Sequence, residues 1–156
     1  MTPLQRRITL FSVLLLIILF IFSFFVTPHM LIATAAYGLL IIGLSLRKLS
    51  RTIHARIMST AMFLDISLVL KLQIQRHAIQ TAAAFSLSPL QQAHIGVSTL
   101  ALILYFPTFY FGFKRLHQKG TSPLLDRKRH ILFAVSAFIF RTLGFLFMFS
   151  MLDKSN

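Results

Sequence analysis

A chain of 156 residues that is 56% hydrophobic, with a mean hydropathy of +0.79, has more apolar surface than a soluble domain of its length can bury, so it reads as an integral membrane protein. It contains no Cys, which excludes disulfides, thiolate metal sites and Cys nucleophiles. Sixteen Lys and Arg against three acids give a net charge of +13, but these cations cluster beside apolar stretches as cytoplasmic loops do, and no aromatic-plus-basic groove accompanies them, so no nucleic acid is expected as a partner.

The expected fold is all-α, an integral membrane bundle of five transmembrane helices forming one domain over residues 1–156. The first span, about 8–26, reads "ITLFSVLLLIILFIFSFFV" and carries no charge. Arg6 and Arg7 precede it, as in a signal peptide. Its apolar run is too long for a signal core, and Thr27-Pro28-His29 makes a poor cleavage site, so it reads as an anchored helix. The second span, about 30–46, contains Ala33, Ala35, Ala36, Gly38 and Gly43, small residues that permit close helix approach. The third runs over about 54–73, the fourth over 94–113 and the fifth over 130–152. Segment 74–92 is too polar to cross and is expected to extend the third helix, lie along the interface or form a loop. In the inner loop "HQKGTSPLLDRKR", Gly120 is a stop signal, while Ser122 and Pro123 suit an N-cap and first helical position, so the fifth helix is expected to start before the membrane.

Charge orients this bundle. Arg6 and Arg7, then Arg47, Lys48, Arg51 and Arg56, then Lys114, Arg115, Lys119, Arg127, Lys128 and Arg129 fall on one side of a five-span alternation. That side is expected to be cytoplasmic, placing the N-terminus inside and the C-terminus outside. The same basic rim is expected to attract anionic lipids.

Two ionisable residues lie near span centres: Asp65 on the third and Arg141 on the fifth. Such charges are costly in lipid and usually face the bundle in pairs, so Asp65 is expected to neutralise Arg141. That pair either fixes helix register or, less simply, relays protons. Asp65 follows His54 by eleven residues and Arg141 follows His130 by eleven, which returns each to within about 20° of the same helix face, about 16 Å along the axis. Tyr105 follows His94 by eleven and joins the same deep polar layer.

His54 and His130 thus share a cytoplasmic layer, and His77 and His94 an outer one, with His29 nearby. Paired imidazoles on facing helices, between Phe-rich walls, suit the two axial positions of haem iron. Arg51, Arg56 and Arg129 are candidates to meet its propionates. The pair His54 and His130 is better supported than His77 and His94, because His77 falls about 140° round the helix from His54. Alternatively, interfacial histidines cap helix ends and meet headgroups. His54, Met58 and Met62 also form a stripe soft enough for Cu(I), although such stripes are more often core packing.

The segments "HARIMSTAMFLD", "AHIGVSTLALILYFPTFYFGF", "RKRHILFAV" and "RTLGFLF" resemble small bacterial membrane proteins of the CtaM/YozB type, linked to haem–copper oxidase assembly. His54 with Met58, then His77, His94 and His130, match that pattern in order. A second likeness, through His94 with Gly112 and Phe113 and through Leu143 to Leu146, is to ascorbate-reducible transmembrane b-type cytochromes. Together these cover roughly residues 50–150. They imply haem b on His54, His130, His77 and His94, electron transfer or oxidase assembly, and a multi-pass protein of the bacterial inner membrane.

An alternative from a different class is a small structural subunit of a larger membrane complex, docking through the first two spans and holding no cofactor. A stand-alone enzyme or transporter is not expected, since paired carboxylates, a P-loop and His-Glu-x-x-His are absent and polar residues in the spans are few.

Overall fold

Helix starts are set by caps. In the computed structural model, residues 10, 13–14, 17–18, 21, 28–76, 87–117 and 124–150 are described. Their regular structure is helical: α1 (Pro28–Leu46), α2 (Arg51–Arg76), α3 (Pro89–His117) and α4 (Leu124–Ser150). Ser50 opens α2 by accepting the Ile53 N–H on its Oγ at 3.3 Å. Ser88 and Gln91 open α3 reciprocally: Ser88 N–H donates to Gln91 Oε1 at 3.0 Å and Gln91 N–H to Ser88 Oγ at 3.4 Å, with Pro89 at the first helical position. These caps explain why α2 and α3 start ahead of the expected spans at 54 and 94. α4 starts at Leu124, ahead of the expected span start at His130.

All four helices are long and apolar enough to cross a membrane, as in a multi-pass membrane protein. Of the first expected span, Leu10, Val13, Leu14, Ile17, Ile18 and Ile21 are described, each helical and exposed; the rest of 8–26 lies outside the described residues. Residues 77–86, Gly120, Ser122, Pro123 and the end of the fifth span also lie outside them. The polar segment 74–92 extends α2 as far as Arg76 and supplies the start of α3.

The chain divides into two compact units, Met1–Leu68 and Val69–Asn156. In the first, α1 returns into α2 through a tight turn in which Leu49 N–H donates to Leu46 O at 3.0 Å. Met30, Ala33, Ala36 and Leu40 are buried on α1, and Ala61, Met62 and Leu68 on α2. Gly43 lets the two helices approach: a Cβ there would lie 2.7 Å from Met58 Sδ and 3.2 Å from Ile57 Cγ2.

In the second unit α3 and α4 form an antiparallel hairpin. Residues near the start of each helix meet residues near the end of the other. Ala101 and Ala137 are buried, and the rings of Phe111 and Phe133 stack with centroids 5.8 Å apart. Gly144 is another close approach, since a Cβ there would lie 2.6 Å from Ser98 Oγ and 3.5 Å from Val97 Cγ2. Gly96, by contrast, faces open space.

Gly144→Val is expected to destabilise the protein by about 1–3 kcal/mol more than Gly96→Val, because both add the same side chain to a helix and only one meets a neighbour. Thermal unfolding in mild detergent measures the difference, and equal losses would remove the close approach at Gly144.

Candidate functional site

Three of the four histidines singled out from the sequence are described, and all three make the same kind of bond. His54, in the first turn of α2, places Nδ1 2.7 Å from the Gly43 carbonyl oxygen on α1. His94, in the second turn of α3, places Nδ1 2.7 Å from the Gly144 carbonyl oxygen on α4. His130, in the second turn of α4, places Nδ1 3.1 Å from the Thr108 carbonyl oxygen on α3. A carbonyl can only accept, so Nδ1 carries the proton and donates in each case. The neutral ring then has an unprotonated Nε2, the form that ligates a metal, with its orientation fixed from behind. All three rings are half-buried.

Glycines make these contacts possible. At Gly43 and Gly144 the carbonyl that accepts the imidazole belongs to the residue whose missing side chain admits the neighbouring helix. The residue four positions beyond each histidine, Met58 or Ser98, fills the space against that same glycine. At the third clasp a Cβ on Gly112 would lie 3.1 Å from His130 Cε1, so it is Gly112 that leaves room for the ring.

His94 and His130 share the α3–α4 hairpin but hold its opposite ends. Their contact points on α3 are fourteen residues apart, about 21 Å along the helix. His54 belongs to the first unit, and His77 lies outside the described residues. His117 differs from the three clasped residues in bonding the Phe113 carbonyl of its own helix at 3.1 Å. Met58 and Met62, read alongside His54 as a soft stripe, go to packing: Met58 lies against Gly43 and Met62 is buried. Among the described residues no three His, Asp or Glu side chains gather to hold a metal ion. An imidazole Nε2 is a donor that haem iron accepts, but His94 and His130 lie too far apart to share one haem.

Asp65 and Arg141 are 2% and 7% exposed, and Tyr105 is 2% exposed. Sequence reasoning missed the second buried acid. Asp126, within the segment read as the inner loop, lies in the first turn of α4, where Oδ2 forms an ion pair with Lys114 Nζ at 2.8 Å. Its signal was present: a single acid three residues after a Ser-Pro helix start. The accepting carbonyls of Gly43, Thr108 and Gly144 were also missed.

No protein-family model, curated protein or solved structure matches this chain.

His94→Ala is expected to cost about 1 kcal/mol, the value of an interhelical hydrogen bond in a membrane protein. His94→Asn, whose amide N–H reaches a similar position, is expected to recover most of it. Unfolding in detergent compares the two, and identical losses would mean that the bond to Gly144 contributes nothing.

Proposed function

We propose that this chain is a haem b-binding protein of the bacterial inner membrane, with five spans, a cytoplasmic N-terminus and an external C-terminus. His54 and His130 hold one haem, and His77 and His94 a second. Its role is electron transfer or help in haem–copper oxidase assembly rather than stand-alone catalysis. The observation that carries this reading is the Nδ1–carbonyl bond made alike by His54, His94 and His130. Each bond selects the ligating tautomer and holds the ring. Bound haem supplies a one-electron couple; the protein's part is to fix the imidazoles and exclude water with apolar helices.

A second reading is favoured by the same bonds. Each is already a tie between helices, which suits a cofactor-free subunit of a larger membrane complex, and the exposed Leu14, Ile17, Ile18 and Ile21 offer it an apolar docking face.

An absorbance spectrum separates the two. Protein purified from haem-replete cells is expected to show a Soret band that His130→Asn abolishes while the chain stays folded. Colourless wild-type protein that copurifies with a partner would favour the subunit.

Asp65 neutralises Arg141 in this proposal, because two buried charges of opposite sign are each costly alone. Asp65→Arg and Arg141→Asp are each expected to reduce folded protein in the membrane, and the double swap to restore it. Harmless single changes would dismiss the pair.

A further inference from the structure

The loop end of the α3–α4 hairpin combines an aromatic face with cations that no carboxylate of the hairpin balances. Phe109, Tyr110, Phe113, Lys114 and His117 form a shallow, open and largely apolar face along α3. The three aromatic side chains are exposed. Lys114 is both part of this face and the partner of Asp126, so the polar end of the face abuts the first turn of α4. Asp126 is the one acid of the second unit among the described residues, and it is engaged by Lys114.

Arg127, Lys128 and Arg129 follow it directly and are exposed. The Arg129 guanidinium lies over the Phe111 ring, 5.9 Å from its centroid, a contact that steadies the side chain without cancelling its charge. Lys114 and Arg115, in the last turn of α3, sit at the favourable negative end of a helix dipole, whereas a cation near the start of α4 faces the positive end. Lys114 of this face is tied to Asp126, the residue that precedes Arg127, Lys128 and Arg129, so the basic run starts where the aromatic face ends, and together they complement a ligand that is anionic at one end and apolar along its length.

We propose that this end of the hairpin binds an anionic phospholipid, with an acyl chain along Phe109, Tyr110 and Phe113 and the phosphate on Arg127, Lys128 and Arg129. A free phosphate would satisfy the cations and leave the aromatic face uncovered; a phospholipid covers both. The proposal does not rest on haem, and it assigns Arg129 to the phosphate rather than to a propionate.

The test uses the full chain in mild detergent, titrated with phosphatidylglycerol or phosphatidylcholine and read by native mass spectrometry. Phosphatidylglycerol is expected to be retained more tightly. The triple change Arg127→Gln, Lys128→Gln, Arg129→Gln is expected to weaken it roughly fivefold for each cation removed. The control triple Arg47→Gln, Lys48→Gln, Arg51→Gln, on the α1–α2 turn, is expected to leave it nearly unchanged. Equal weakening by both triples would mean a diffuse basic rim and overturn the site. Equal retention of the two lipids would also overturn it, as would displacement of the lipid by inorganic phosphate at matched concentration. The lipid comparison and the phosphate competition need only the wild-type chain, so they decide the matter even if a triple variant fails to insert.

Discussion

An imidazole N–H buried between apolar helices has no water to bond, and nearly every acceptor within reach is a main-chain carbonyl already committed to a helix ladder. A carbonyl oxygen has a second lone pair, so it can accept an imidazole without giving up its helix bond. It becomes reachable where the helix surface is low. Gly43, Gly112 and Gly144 lower it at three places, and His54, His130 and His94 occupy those places. This pairing of a glycine with a neighbouring histidine sets how closely the helices approach within each unit. The tautomer of each ring, and with it any ligand chemistry at Nε2, follows from the same bond.

The two units repeat this arrangement at matching positions. In each, a histidine near the start of the second helix of a hairpin bonds a carbonyl near the end of the first: His54 to Gly43, and His130 to Thr108. The α3–α4 hairpin adds the reverse tie, His94 to Gly144. No internal repeat is evident in the sequence, because glycine and histidine are eleven residues apart in one hairpin and eighteen in the other. The likeness lies in what the side chains do at a helix crossing.

Helices were the most legible part of this chain. Apolar runs of membrane length sufficed for α1 to α4, and the interruptions at Arg47–Ser50 and around Gly120 divided them. Helix ends were less legible: "SPLQ" is a capping box, but its polar segment was read only as a helix extension, an interfacial stretch or a loop, with the fourth span starting at 94. The histidines stood out because they recur at span ends and, through the eleven-residue spacing, share faces with Asp65 and Arg141, both of which are buried. Their partners did not stand out. A backbone carbonyl is the same at every position, so the sequence carries no mark for Thr108 as an acceptor. Gly112, one turn further on, is an indirect sign that becomes readable once the helices are paired. Asp126 was passed over even though Ser122 and Pro123 marked a helix start ahead of it, since one acid within a basic run resembles a solvated face.

The reciprocal ties of α3 and α4 have a mechanical consequence. Sliding one of these helices past the other by a single turn, about 5.4 Å, would break both imidazole bonds at once and drive Ser98 away from Gly144. Axial sliding is therefore opposed at both ends together. The hairpin should therefore transmit force along its length as a stiff strut, with shear between its two helices largely suppressed.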